Sequence, residues 1–336
     1  MDDPRKGTNY GEAILAAYEY LLATYPKVFT LGQGLWSPWY VGNSMTNLDK
    51  KFGQARVIDT PISELSTTGM AIGASLLGYR PIIVYPRMDF MILAMDQIVN
   101  QAAKWRHMLG GQSHAPVTFR SIINRGGEQG AQHSQALHAW FAHVPGLRVV
   151  MPYTVQDARD LLIAAVLCDD PVMYIDDRWL YGNVIDALPP VTELRLVDQR
   201  PEVRRVGKDV TLVAASFSVH LAMQAAAALE PEGIACEVID LRVINPLDVA
   251  PVVASVAKTG RLCAIDGGWR TCGLAGEVIA AVVERLPVSV LQAPPRRLTL
   301  PDAPAPSSKP LEELYYTTVA QVAQTARELC AMRRVG

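Results

Sequence analysis

Strand-like apolar runs and helix-like segments alternate along almost the whole chain. A helical stretch at residues 11–25 precedes an apolar run at 28–31, and the same order recurs up to a run at 172–175. This alternation is typical of β-α-β units, which build parallel sheets covered by helices. Because 336 residues exceed the size of one average domain, the sequence predicts an α/β protein with two doubly wound domains.

The apolar periodicity lapses between residues 182 and 207, where three prolines occur. We interpret this stretch as an extended segment that crosses between domains. The sequence therefore predicts a first domain at 7–185, a linker at 186–208 and a smaller second domain at 209–333. A single amphipathic helix over 311–332 is expected to end the second domain.

Charge and cysteine content exclude several classes of protein. The formal net charge is -2 without any block of like charges, so we expect neither nucleic acid nor a membrane surface as a partner. The first ten residues are polar and no apolar run reaches about 18 residues, which favours a cytoplasmic protein. Five cysteines without a Cys-x-x-Cys pair indicate reduced thiols, most of them in the core.

An acid stands at a predicted transition from strand to helix. The segment Asp59-Thr-Pro-Ile-Ser-Glu64 joins a strand predicted at 56–59 to a helix predicted at 64–77. Ligands of open α/β sheets bind outside the carboxyl ends of strands, which is where Glu64 is expected to lie. The alternative is that Glu64 only complements the helix dipole, an effect well under about 1 kcal/mol.

Three further spots carry candidate functional residues. A glycine-rich loop at 126–130 leads to His133, just before a helix predicted at 134–142, where an imidazole is suited to proton transfer or anion contact. Phe90 belongs to an aromatic and acidic cluster, and Asp266 opens a glycine-rich strand end. A structural histidine, ordinary core packing and a tight turn are the respective alternatives.

Motifs of several common enzyme classes are absent. The sequence lacks a phosphate-binding loop, a Gly-x-Gly-x-x-Gly after a strand, a Gly-x-Ser-x-Gly and a His-Glu-x-x-His motif.

The sequence does contain several motifs that together resemble those of one family. From about Tyr10 to Leu329 it resembles the β subunits of the E1 component of pyruvate and branched-chain 2-oxo acid dehydrogenases. The resemblance is carried by five motifs in the family's order, at Asp59–Glu64, Asp96–Gln97, Gln132–Gln135, Pro145–Leu147 and Asp266–Trp269.

This resemblance implies a pyrimidine-binding domain followed by a transketolase C-terminal-like domain, with thiamine diphosphate as the cofactor. In the superfamily, a Gly-Asp-Gly motif on another domain holds the diphosphate and its metal, and this sequence contains no Gly-Asp-Gly. An α-type partner subunit is therefore expected to hold most of the cofactor's Mg²⁺ site. The expected assembly is an α2β2 heterotetramer.

The resemblance also implies roles for particular residues. Glu64 is expected to hydrogen-bond N1′ of the aminopyrimidine and to shuttle the proton that activates the cofactor. Phe90 is expected to stack on the pyrimidine, Ile62 to contact the cofactor, and His133 to lie near the substrate or the acyl-transfer path. The reaction implied is decarboxylation of a 2-oxo acid and transfer of the acyl unit to a lipoyl group on an E2 partner.

Some positions depart from the family pattern. Gln33 stands where the family usually carries an acid thought to relay protons between paired sites, and the loop 35–40 is unusually aromatic. Residues 84–87 read Val-Tyr-Pro-Arg where acidic and small residues are usual. Two alternatives stay open: a two-chain carboligase of the transketolase or acyloin-synthase type, and a non-catalytic paralogue. A potassium site and the identity of the 2-oxo acid also stay open.

Overall fold

A computed structural model describes residues 7–332, which form two compact units. The first unit comprises residues 7–125 and Trp140–Gln199. The second unit comprises Gly126–Ala139 and the described residues from Arg200 onward. A loop within the predicted first domain thus packs in the second unit, which the sequence does not predict. Residues 1–6, on which part of the cytoplasmic expectation depends, lie outside the described residues, as does residue 333 of the predicted second domain.

The first unit is built around a parallel sheet. Six of its strands are ordered β6-β7-β5-β4-β2-β3, with every neighbouring pair parallel. A short antiparallel pair, β1 and β8, stands apart. The strands are β1 (Thr8–Asn9), β2 (Val28–Gly32), β3 (Val57–Asp59), β4 (Arg80–Tyr85), β5 (Thr118–Ile123), β6 (Arg148–Val150), β7 (Val172–Asp177) and β8 (Val184–Ile185).

Helices connect these strands, as the alternating pattern predicts. Asn9 and Glu12 form a capping box that starts the first helix, because each side chain accepts a hydrogen bond from the other residue's main-chain N–H. The α-helices between residues 10 and 167 are α1 (Tyr10–Thr24), α2 (Leu48–Phe52), α3 (Glu64–Leu76), α4 (Met88–Met91), α5 (Ala103–Met108), α6 (His138–Ala142) and α7 (Val155–Leu167).

The second unit has a five-stranded sheet in the order β14-β13-β10-β11-β9. Four strands are parallel, and β9 pairs antiparallel with β11 at one edge. The strands of this sheet are β9 (Glu202–Arg205), β10 (Val210–Ala214), β11 (Cys236–Asp240), β13 (Leu262–Trp269) and β14 (Arg296–Leu300), and the short strand β12 (Val243–Asn245) is not part of it. The helices are α8 (Phe217–Leu229), α9 (Ala250–Thr259), α10 (Leu274–Val283), α11 (Lys309–Tyr315) and α12 (Val319–Ala331). The predicted α/β class is thus confirmed for both units.

Three local predictions are wrong. The helix predicted at 134–142 begins only at His138, so residues 134–137 continue the loop that carries His133. The single helix predicted at 311–332 is two helices, and the edge strand β9 lies inside the segment predicted as an extended crossing. Residues 88–108 are helical throughout, with a 3₁₀ turn at Ile92–Ala94 and a π-helical stretch at Gln97–Ala102. Among residues 7–332, none of the helices is long and apolar enough to span a membrane.

The break before α12 has a capping box that gives a testable prediction. The Thr318 hydroxyl accepts from the main-chain N–H of Gln321, whose side-chain oxygen accepts from the N–H of Thr318 at 2.9 Å. We expect Thr318→Ala to lower the free energy of unfolding by about 1 kcal/mol. Urea denaturation followed by circular dichroism measures this change. The neighbouring Thr317→Ala is the control, and an equal loss in both variants would refute the capping role.

Candidate active site

A cleft opens at the carboxyl ends of β2, β3 and β4. The strand β2 lies between the other two, so the chain reverses direction across the sheet at this point. Open α/β sheets bind ligands at such switch points. Fifteen residues line the cleft: Gly32, Gln33, Tyr40, Thr60, Pro61, Ile62, Ser63, Glu64, Thr67, Ile83, Val84, Tyr85, Pro86, Arg87 and Phe90.

Glu64 is the first residue of α3 and lies half-buried in the cleft wall. The Thr68 hydroxyl donates to the Glu64 main-chain carbonyl at 2.6 Å and lies 2.5 Å from the Tyr85 hydroxyl. Because a carbonyl can only accept, the Thr68 proton is committed to it, and Tyr85 must donate to Thr68. Burial raises the pKa of Tyr85, and the nearby charge of Glu64 acts in the same direction. The first turn that carries Glu64 is therefore tied to β4.

Two apolar side chains accompany Glu64 in the cleft. Ile62 is 72% exposed, and the Phe90 ring at the α4 turn is 39% exposed. Large apolar side chains that face an open cleft provide contact surface for a flat, partly apolar ligand. The structure thus brings together three of the residues that the sequence singled out, an acid and two apolar side chains.

The floor of the cleft is shaped by the turn after β2. Asp59, at the end of β3, accepts a hydrogen bond from the main-chain N–H of Gly34 at 2.6 Å. Gly34 has a φ of +70°, and a side chain at this position would collide with the ring of Tyr40. Tyr40 therefore packs directly on the turn and becomes part of the cleft wall.

A buried ion pair lies beneath the carboxyl end of this sheet. The guanidinium of Arg120 on β5 bonds both carboxylate oxygens of Asp176 on β7, at 3.2 and 3.0 Å. Both side chains are fully buried. Arg120 also donates to Ser44 and to the Tyr181 hydroxyl, each at 2.8 Å, and Tyr181 donates to Asp176 at 2.5 Å. The sequence analysis did not identify this network because its members are scattered over more than 130 residues.

His133 lies in the second unit, in the loop that precedes α6. Glu128 fixes this loop, since its N–H donates to both carboxylate oxygens of the buried Glu312 at 3.3 and 3.1 Å. The Glu128 carboxylate in turn accepts from the N–H of Lys309 at 3.2 Å. Gly130, with a φ of +71°, allows the loop to approach Ser307 closely. The predicted loop is thus an ordered part of the second unit.

A second anchor joins the end of this loop to β13. The Nε2 of His138 lies 2.8 Å from Asp266, and both side chains are buried. Asp266 also accepts from the N–H groups of Gly268 and Ala275, at 2.9 and 3.2 Å. Burial raises the pKa of Asp266, but attraction to His138 and the hydrogen bonds outweigh it, so the pKa lies below its ordinary value. Asp266 could be singled out from its glycine-rich strand end, whereas His138 could not, because its partner is 128 residues away.

This anchor predicts a specific dependence of stability on pH. Because the folded-state pKa of Asp266 is depressed, its contribution is complete above the unfolded pKa of about 4 and is lost as pH falls through the folded value. We expect Asp266→Asn to unfold more easily at pH 7 and to lose less additional stability below pH 4 than the parent chain. Urea titrations from pH 7 to 2.5 measure both slopes. Parallel pH profiles would contradict the assignment.

Metal ligands and thiols are sparse in the described part of the chain. Among residues 7–332, His, Cys, Asp and Glu side chains form no group of three or more that could hold a metal ion. The five cysteines are free, which agrees with the expectation of reduced thiols. Only Cys236 and Cys263 are buried, whereas Cys272 is exposed, so fewer of them fill the core than expected.

Two family models cover most of the chain. The transketolase pyrimidine-binding domain matches residues 6–183, and the transketolase C-terminal domain matches residues 200–322. The cleft with Glu64 lies within the first match. The loop with His133 also falls within the first match by sequence, although it packs in the second unit.

Solved structures with the same fold include a split-gene transketolase described as an inactive β4 tetramer. It superposes with a TM-score of 0.78 at 23% identity, covering 98% of this chain and all of the other. A transketolase from Leishmania mexicana has a TM-score of 0.70 at 17% identity, covering 98% of this chain and 46% of the other. At these identities the likeness shows the shared fold.

Curated relatives are much closer in sequence. The mitochondrial pyruvate dehydrogenase E1 component subunit beta-2 of Oryza sativa subsp. japonica is 38% identical, covering 95% of this chain and 85% of that protein. The corresponding β subunits of Rickettsia bellii and Rhizobium meliloti are each 37% identical. The match to the Rickettsia bellii subunit covers 96% of this chain and 98% of that protein. The match to the Rhizobium meliloti subunit covers 95% of this chain and 69% of that protein. The two domain matches and these identities show that the chain belongs to the family of E1 component β subunits with transketolase-like domains.

Proposed function

We propose that this chain is the β subunit of a thiamine-diphosphate-dependent E1-type enzyme that decarboxylates a 2-oxo acid. The observation that carries the proposal is the position of Glu64, half-buried at the start of α3 in a cleft that Ile62 and Phe90 also line. The relatives named as pyruvate dehydrogenase E1 β subunits support this reaction class over the carboligase alternative.

The residues present fit the aminopyrimidine end of the cofactor. A flat ring with a basic nitrogen needs apolar contact on its faces and an acid at its edge, and the cleft offers Phe90, Ile62 and Glu64 for these tasks. When bound, thiamine diphosphate supplies the stabilised carbanion that decarboxylation requires. Glu64 holds and moves a proton at N1′ of the aminopyrimidine.

We further propose an α-type partner subunit, in an α2β2 assembly, that holds the diphosphate and most of the Mg²⁺ coordination. The support is the exposure of three large apolar side chains in or shortly after the cleft segment, Ile62, Leu65 and Met70, which are between 52 and 72% exposed. Burial of such side chains against a protein partner would be favourable. His133 is proposed to act near the substrate or the acyl-transfer path, with a lipoyl-bearing E2 as the expected acceptor.

The test is decarboxylation by the assembled enzyme. The chain is co-expressed with an α-type partner, supplied with thiamine diphosphate and Mg²⁺, and assayed on a panel of 2-oxo acids with a reducible dye as the electron acceptor. We expect turnover of at least one 2-oxo acid that depends on both subunits. A complex that turns over no 2-oxo acid, yet transfers aldehyde units from a ketose donor, would overturn the proposal.

A further inference from the structure

Two arginines lie at the carboxyl end of the sheet in the first unit. Arg87 follows β4 and lines the cleft with Glu64, and Arg178 follows β7. The Nε atom of Arg87 and the Nη1 atom of Arg178 are buried and form no hydrogen bond within residues 7–332. A buried N–H group without an acceptor costs free energy, and a bound anion would supply acceptors to both of these nitrogens.

The two guanidinium groups influence each other electrostatically. Burial lowers the pKa of Arg87, and the positive charge of Arg178 acts in the same direction. Tyr40 and Asp89 oppose this effect, but the pKa stays below its ordinary value. The two guanidinium groups repel each other, and an anion bound beside them would offset that repulsion.

Arg178 is held rigidly. Its guanidinium stacks on the ring of Tyr181 at 5.2 Å and packs against Gly42, whose φ of +61° and missing side chain leave the necessary room. The Tyr181 hydroxyl is fixed in turn by the buried pair of Arg120 and Asp176. A pre-positioned guanidinium loses little conformational entropy when it binds a ligand.

We propose that Arg87 and Arg178 bind a second anionic group of the substrate, separate from the carboxylate that leaves as carbon dioxide. This inference rests on the proposed function. Guanidinium groups match the planar geometry of a carboxylate and also bind phosphate oxygens, so the ligand class is a 2-oxo acid with a distal anion. The departing carboxylate is the wrong partner, because it loses its charge during reaction and a strong ion pair would stabilise the starting state most.

The first test measures binding without chemistry. Glutarate and pentanoate differ by one carboxylate, and isothermal titration calorimetry compares their binding to the complex with the α-type partner. We expect glutarate to bind at least about tenfold more tightly, and we expect Arg87→Met and Arg178→Met each to weaken glutarate alone by about 10- to 100-fold. Arg195→Met, at a side chain that is 77% exposed, is the matched control.

The second test measures kcat/KM for 2-oxoglutarate, 2-oxopentanoate and 2-oxo-4-phosphonobutanoate. We expect the parent enzyme to prefer a dianionic acid at least about tenfold, and Arg87→Met to remove that preference, measured as the ratio of kcat/KM for 2-oxoglutarate to kcat/KM for 2-oxopentanoate. Arg87→Lys should keep part of the preference, since it keeps the charge and loses the planar fork. Comparison of kcat/KM for the phosphonate with kcat/KM for the dicarboxylate shows which of the two anions the site prefers.

The outcomes separate this inference from the proposed function. Turnover of 2-oxopentanoate without any dianion preference would overturn the anion site and keep the function. An equal loss on both substrate types in Arg87→Met would also overturn it, because the arginine would then serve the cofactor or the partner subunit. Glutarate binding that depends on Arg87 in a complex that turns over no 2-oxo acid would keep the site and reject the function.

Discussion

Replacing Glu64 by glutamine is expected to lower kcat of the assembled enzyme by about 10²- to 10⁴-fold. Glutamine has nearly the same shape as glutamate and can still occupy the half-buried position at the start of α3. It cannot take up or release a proton, which is the step proposed for Glu64. Steady-state decarboxylation of the preferred 2-oxo acid measures the loss.

Binding of thiamine diphosphate by the same variant provides the necessary control. Because the apolar contacts of Ile62 and Phe90 are unchanged, we expect the Kd for the cofactor to rise by less than about tenfold, as measured by titration calorimetry. Glu19→Gln, at an exposed acid on α1, should leave both quantities unchanged. A Glu64→Gln enzyme with more than half of the parent kcat would show that another group moves the proton.

Replacing Arg120 by methionine is expected to lower the free energy of unfolding by about 3–5 kcal/mol. The change leaves the carboxylate of Asp176 in a fully buried position without its partner, and it removes the donors to Ser44 and Tyr181. Such a loss is a large fraction of the stability of an ordinary domain. Urea denaturation of purified chains, monitored by fluorescence, measures it.

A second variant separates the cost of the stranded charge from lost packing. Asp176→Leu in the Arg120→Met background removes the uncompensated carboxylate, so we expect it to recover more than half of the lost stability. If Arg120→Met costs less than about 1 kcal/mol, the ion pair does not hold the carboxyl ends of β5 and β7 in place. The proposed support of Arg178 through Tyr181 would then fail as well.

Much of the fold follows from local pattern, and the errors have identifiable causes. The buried strands β4 and β7 contain apolar runs, at residues 81–84 and 172–175, which are typical of parallel sheets and which the sequence displays. The strand β9 carries Glu202, Arg204 and Arg205 at a sheet edge, so its composition resembles that of a linker. The missed break before α12 is explained by the capping box at Thr318, which a reading of apolar periodicity alone overlooks.

The residues of the candidate site also divide into those that the sequence predicts and those that it does not. The position of Glu64 could be predicted because it stands at a strand-to-helix transition, outside the carboxyl end of a strand in an open α/β sheet. Ile62 and Phe90 were expected beside the cofactor only from the resemblance to E1 β subunits. Arg87 was noted only as part of a departure from the family pattern, and Arg178 was not predicted because it belongs to no motif. The catalytic and cofactor-binding roles of Glu64, Ile62, Phe90 and His133 stay predictions that the experiments above address.

The loop Gly126–Ala139 also has a consequence for how the chain acquires its structure during synthesis. Its supports at Asp266 and Glu312 follow His138 and Glu128 by 128 and 184 residues. At about 5–20 residues per second, a ribosome needs roughly 10–40 s to add the longer of these stretches. During that interval the strands of the first unit are already complete in sequence, whereas the segment that carries His133 has no scaffold. A nascent chain arrested near Gln199 would therefore present this segment to proteases, and chaperones that bind there would act on the part of the protein that is ordered last.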